Sequence, residues 1–220
     1  MLDIEVIMEG LPLLLKGAVV TFEVSILSII LATVLGFGLC MMRLSNNRIM
    51  QRIAFIYIWL FRGTPLLVIL FLFYYAAPFL GIKLSAFNAG LLAFTFNAAA
   101  YKAEIIRSGM LAVHRGQIEA AEAIGMNPFY IMWRIRIPQM IRLIIPPYIS
   151  NSVTLLKESA QVSVITVPDL MMNAQNLYSI TYRPLETLGV AAVLYLIMTS
   201  LLMLLQTWAE KKLKVSNNNK

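Results

Sequence analysis

One cysteine and one histidine in 220 residues leave this chain without two common kinds of chemistry. A single thiol, Cys40, forms no internal disulfide, and a single imidazole, His114, offers zinc no ligand cluster. Cys40 lies in an apolar run and reads as a small packing residue; His114 reads as a solvated loop side chain. No stretch matches G-x-x-x-x-G-K-[ST], so the backbone cradle and lysine that hold nucleotide phosphates are missing, and any ATP chemistry belongs to another chain. G-x-S-x-G, H-E-x-x-H and paired membrane aspartates are missing too, and Ser108 and Ser159 have no histidine at membrane depth to activate them. The expectation is a chain with no catalytic residue, no metal site and no cofactor of its own.

Charge is also scarce. Only 13% of residues are charged against 60% hydrophobic, and the mean hydropathy is +0.77, which excludes a soluble domain. Apolar runs of the roughly 20 residues needed to cross a bilayer fall near 14–42, 53–80, 86–109, 139–157 and 188–209. They predict an all-α integral membrane protein of about five transmembrane helices, forming one domain over 1–220. Pro146 and Pro147 interrupt the fourth run, a break tolerated where neighbouring helices cover the freed carbonyls.

Arg43, Arg48 and Arg52 follow the first run; Arg115, Arg134, Arg136 and Arg142 surround a central loop; Lys211, Lys212, Lys214 and Lys220 fill the tail. The positive-inside bias places all of them in the cytoplasm, with Asp3, Glu5 and Glu9 outside and Lys83 and Arg183 as exceptions. The N-terminus is then outside and the C-terminus inside. The same bias accounts for the +7 charge without any nucleic-acid partner. Acidic first residues and a long apolar run do not fit a cleaved signal peptide, and the tail over 215–220 reads as disordered.

What the chain does carry is a polar interruption at 115–138. Gly116 and Gln117 lead into Ile118-Glu-Ala-Ala-Glu-Ala-Ile124, a helix-forming run with an alanine face that permits close approach. Gly125 ends it in the left-handed conformation, and Pro128 blocks continuation. Glu119 and Glu122 complement the helix dipole and present charge to a basic partner. Glu119-Ala120-Ala121, Gly125 after three residues and Ile135-Arg-Ile-Pro138 after nine more resemble the cytoplasmic coupling loop of bacterial ABC importer permeases. Arg62-Gly-Thr-Pro65, Ala100-Tyr-Lys-Ala-Glu104, Pro138-Gln139, Pro146-Pro147 with Asn151, Lys157-Glu-Ser159 and Val167-Pro168-Asp169 resemble, in order and spacing, the polar amino-acid branch that serves histidine, glutamine, arginine or cystine.

That resemblance implies a type I ABC importer permease in the bacterial cytoplasmic (inner) membrane. It also implies a second permease subunit, identical or homologous, two ATP-binding cassette subunits that carry ATP and Mg, and an extracytoplasmic solute-binding protein. The knuckle residues Gly116, Glu119, Ala120, Ala121 and Gly125 would then couple the ATPases to the membrane helices during alternating access. The carried amino acid stays open among cystine, arginine, histidine, glutamine and glutamate. A channel or ion-coupled transporter subunit working without ATP is the rival, supported by the buried charges Glu104 and Lys157.

Ionisable side chains within a span usually face a partner or a cavity. Asn97, Tyr101, Glu104 and Ser108 recur at helical spacing as one polar stripe. Glu104 is a candidate for an amino-acid ammonium group, against a pair with Arg107 one turn on. Lys157, Glu158 and Ser159 fall near the outer end of the fourth span, where a broken helix aims charges at a zwitterion. Here Lys157-Glu-Ser-Ala-Gln161 departs from the Lys-Asp-Thr-Ser-Leu more common in the branch, and Glu158 can equally pair with Lys157. Arg62, with Gly63, Thr64 and Pro65, breaks the second span and is a candidate, along with Thr64, for lining the pathway. Lys102 should point elsewhere, to another subunit or the interface. Gly36 and Gly38 read as sites of close helix contact.

Overall fold

The computed structural model describes residues 3–213; Lys214, Lys220 and the 215–220 tail lie outside them. Every regular element among the described residues is helical. Helix α1 (Ile4–Leu44) is capped by Asp3, whose carboxylate accepts from the Val6 amide. At 1.5 Å per residue its 41 residues span about 60 Å, twice a bilayer core. It starts ten residues before the apolar run, because Glu5 and Glu9 add polarity without breaking the helix.

Asn47 caps α2 (Arg48–Gly63). The chain then breaks at Thr64-Pro65 as the sequence predicts, and α3 (Leu66–Phe71), with a π turn (Leu72–Ala76) and a 3-10 turn (Ala77–Leu80), leaves at a bend of 104°. Ser85 caps α4 (Ala86–Leu111). Two short helices, α5 (Arg115–Ala123) and α6 (Pro128–Tyr130), and a π turn (Ile131–Arg136) lead into α7 (Ile137–Glu158). A 3-10 stretch (Ser159–Ile165), α8 (Leu170–Thr181) and α9 (Pro184–Leu213) complete the order.

Small residues let α1 and α4 lie close. Val24 clusters with Ala89 and Ala93, Ala32 with Ala98 to Ala103, and Cys40 with Ile106 and Met110, so the two helices run side by side in the same direction. A methyl added to Gly36 would come within 3.0 Å of the Ala99 carbonyl, whereas Gly38 faces open space, so only one of the two glycines serves close packing. Helix α7 runs the other way: Met140 and Ile144 press on Gly109, and Leu155 joins Ala98 further along.

One expectation changes here. Pro146 and Pro147 lie inside α7 without interrupting it. Glu158 is the last residue of α7, and the chain goes on through the 3-10 stretch to α8. Helix α8 lies along the first turns of α1, with Asp169 against Gly17 and Leu177 against Gly10. Polar Gln161, Asp169 and Asn173 and the break at Pro168 hide this continuation from a hydropathy reading. Asp169 caps α8 through the Met172 amide, and the Leu170 amide donates to Thr21 Oγ1, which ties the turn to α1. Helix α9 begins beside Asp3, whose amide donates to Glu186, and returns along α7.

By length and hydropathy α1 and α9 each suffice to cross a membrane, and the bent α2–α3 pair makes a third candidate. Helices α4 and α7 are long enough, at 26 and 22 residues, but carry the polar side chains described next.

Candidate solute cavity and the α5 knuckle

The break between α2 and α3 frees a carbonyl. Phe61 O would accept from residue 65 in a continuous helix, but Pro65 has no N–H. Asn97 from α4 takes that place, donating Nδ2 to Phe61 O at 2.8 Å, so a largely buried amide braces the bend. The bend opens a cavity of about 440 Å³ between α2, α4 and α7. Arg62, Thr64, Asn97, Tyr101 and Glu158, five of the eight substrate candidates, line it. Its one cation and one carboxylate stand among neutral hydrogen-bonding groups, a lining matched to a zwitterion.

Sequence reasoning missed two lining residues as site candidates, Asn151 and Thr154. The signal was present: Asn151, Thr154 and Glu158 repeat at i, i+3 and i+7, one polar face of α7. The Asn151 Oδ1 atom is buried with no hydrogen-bond partner, an acceptor the fold leaves unused beside the cavity.

The other three candidates stand apart. Glu104 lines an adjoining cavity of about 390 Å³ with Arg43, Phe55, Trp59, Arg62 and Tyr101. It is held there by Arg107, whose Nη2 donates at 2.6 Å and Nε at 3.0 and 3.1 Å, with Arg43 Nε at 4.0 Å. Lys157 is exposed and lines neither cavity. Ser159 is fully buried and donates its hydroxyl to the Leu156 carbonyl. Of the stripe on α4, Ser108 only bonds back to Ile105 O. Arg62 stacks over the Tyr101 ring at 5.2 Å, and both residues belong to both cavities, so this pair forms their common wall.

Lys102 does not reach the surface. It is fully buried among α1, α4 and α7, with Nζ 3.1 Å from Ser152 Oγ and 3.5 Å from the centre of the Tyr148 ring. A lysine at mid-helix in a membrane costs about 2.5–3.5 kcal/mol on insertion scales. A desolvated cation–π contact of about 2 kcal/mol and a charged hydrogen bond of about 1.5–3 kcal/mol are of the size to offset it.

At the other end of the bundle the knuckle closes on itself. His114 caps α5, its Nδ1 accepting from the Gly116 amide at 3.2 Å, a role its sequence context did not reveal. The helix ends as a Schellman motif: Gly125 N–H donates to Glu122 O at 2.9 Å and Met126 N–H to Ala121 O at 3.0 Å, with Gly125 left-handed at φ 73°. Pro128 opens the next helix behind the Asn127 cap. Ile118 and Ala121 pack under the bundle with Met110, Val113 and Ile131. Gly116, Glu119, Ala120 and Gly125 face outward, with Glu119 paired to exposed Arg115 at 3.1 Å. Ala121 therefore seats the knuckle on its own chain while Ala120 is exposed.

The model of the family described as "Binding-protein-dependent transport system inner membrane component" matches residues 26–215. The putative glutamine transport system permease protein GlnP of Rickettsia bellii is 39% identical over 204 residues, which are 92% of this chain and 94% of that protein. The arginine transport system permease protein ArtQ of Bacillus subtilis is 36% identical, over 97% of this chain and 98% of that protein. A solved structure, described as a crystal structure of an amino acid ABC transporter with histidines, superposes with a TM-score of 0.89 at 36% identity, covering 96% of this chain and 99% of that one.

Proposed function

The chain belongs to the binding-protein-dependent inner-membrane transport components, and from that premise we propose that it carries a polar L-amino acid through the cavity bounded by Arg62, Asn97, Tyr101, Asn151 and Glu158. It is a membrane-spanning transport subunit of the bacterial inner membrane, and the nucleotide chemistry of such a transporter belongs to its ATPase partners. In this reading five passes run from an outer N-terminus to an inner C-terminus. A second permease subunit, this chain again or a homologue, closes the pathway. Two ATP-binding cassette subunits with ATP and Mg grip the outward face of α5, Gly116, Glu119, Ala120 and Gly125, and a solute-binding protein delivers from outside.

The observation that carries the reading is the cavity lining. Glu158 has no ion pair within 4.0 Å among the described residues, so its carboxylate is open to an ammonium group, while Arg62 is open to a carboxylate. Glutamine and arginine in the names of relatives, and histidine in the solved structure, fit that zwitterionic demand. The rival without ATP rested on Glu104 and Lys157. Glu104 is neutralised by Arg107, and Lys157 is exposed, so neither provides a buried free charge.

The test is uptake of tritiated glutamine, arginine and histidine by the whole transporter in proteoliposomes. Uptake should require ATP and the binding protein. Glu158→Gln should weaken it roughly tenfold or more, the loss of one charged hydrogen bond, while Glu104→Gln should leave solute affinity unchanged. Uptake without ATP, or normal uptake by Glu158→Gln, would sink the proposal.

A further inference from the structure

Lys102 adjoins Tyr101 on α4, and Ser152 adjoins Asn151 on α7. Tyr101 and Asn151 line the cavity, while Lys102 and Ser152 meet behind it. The direction of every bond in this second layer is determined. The Ser152 hydroxyl donates to the Tyr148 carbonyl at 2.9 Å, so toward Lys102 it accepts. Thr33 Oγ1 donates to Ile29 O, so from the Tyr148 hydroxyl it accepts. The ammonium thus grips α7 twice, at Ser152 and over the Tyr148 ring, and Tyr148 carries the grip to α1.

Among the described residues Lys102 makes no ion pair within 4.0 Å. An apolar side chain of similar volume would fill this space without desolvating a charge, so packing alone does not call for lysine. Successive residues on a helix point about 100° apart. Fixing residue 102 against residue 152 therefore also fixes where residues 101 and 151 point.

We propose that Lys102 is a positioning residue that locks the register and rotation of α4 against α7, so that Tyr101 and Asn151 meet the solute at a fixed separation. The inference rests on the cavity being the solute's path. Removing the ammonium lets the two helices settle by side-chain volume alone, and the cavity lining loses its fixed geometry while the bundle remains packed.

The experiment uses the assembled permease–ATPase complex in detergent and whichever of tritiated glutamine, arginine or histidine the reconstituted transporter imports. Lys102→Met should weaken solute binding about tenfold and Ser152→Ala about threefold, within the range of a lost charged hydrogen bond. The thermal unfolding midpoint should hold or rise in Lys102→Met, which removes the buried charge, and fall in Ser152→Ala, which leaves the ammonium without its hydrogen bond. Wild-type affinity in both variants overturns the proposal, as does weakened binding in Lys102→Met that only accompanies a fall in its unfolding temperature. Should Lys102→Met fail to assemble, Ser152→Ala, which removes one oxygen, decides alone. Glu158→Gln separates the two readings. If it too binds normally, the cavity is not the path and the proposal falls with it; if it alone binds weakly, only the positioning role is lost.

Discussion

The knuckle and the cavity are built by opposite means. Around α5 most bonds join near neighbours: His114 to Gly116, Arg115 to Glu119, Gly125 to Glu122, Met126 to Ala121, with Gln139 of α7, donating to Gln117, as the exception. Around the cavity the bonds join distant segments: Asn97 to Phe61, Lys102 to Ser152, Tyr148 to Thr33. A surface that must be handed to a partner is best preorganised by its own local bonds. A cavity that must change access is best held by contacts between helices, since those are what a rigid-body shift remakes.

The largest expected effect challenges the knuckle side. Glu119→Lys keeps the helix and its caps but reverses the outward charge, so the protein should insert normally while ATP-driven uptake falls about tenfold or more, as for other charge reversals at docking surfaces. Uptake at the wild-type rate, with ATP hydrolysis still coupled, would show that α5 is not the docking surface.

A smaller effect sharpens the cavity side. Asn97→Ala leaves Phe61 O without the amide that replaces the missing Pro65 N–H, and the expected loss is about 1–3 kcal/mol of stability. A thermal unfolding midpoint equal to wild type would mean that the bend does not depend on this cross-helix bond.

The smallest effect tests whether local rules hold throughout. Tyr182 ends α8 in the left-handed region at φ 55°, 85% exposed, where glycine would be unstrained. Tyr182→Gly should stabilise the chain by about 1 kcal/mol. A destabilised variant would reveal a contact for the tyrosine ring beyond this chain.

The same contrast governs what could be read in advance. The α5 helix, its Gly125 terminus and the break at Pro65 were legible because capping, left-handed glycine and a missing N–H act within a few residues. The α4 boundaries matched the 86–109 run to within two residues for the same reason. Asn151 and Thr154 were legible in principle through their spacing with Glu158, but a proline pair just before them draws attention to interruption rather than to a face. The direction of Lys102 was not legible. On α4 it lies about 200° from Glu104, and only the packing of α1 and α7 decides whether that direction meets lipid, a partner or a buried serine. For Glu104, Arg107 was a visible neighbour, yet the choice between ion pair and solute contact needed Arg43 from another helix.

Composition and local pattern by themselves determined that this chain is helical, belongs in a membrane, lacks the phosphate-binding motif of an ATPase and carries a locally bonded helical knuckle, because hydropathy and short-range hydrogen bonding are additive along the chain. Tertiary structure alone decided that the chain after α7 runs through a 3-10 stretch to lay α8 along α1, that Glu158 joins Arg62 in one cavity while Lys157 and Ser159 turn away, and that a lysine is buried behind the wall. Those outcomes depend on which helix faces are brought within a few ångströms of each other, and that is a property of the packed bundle.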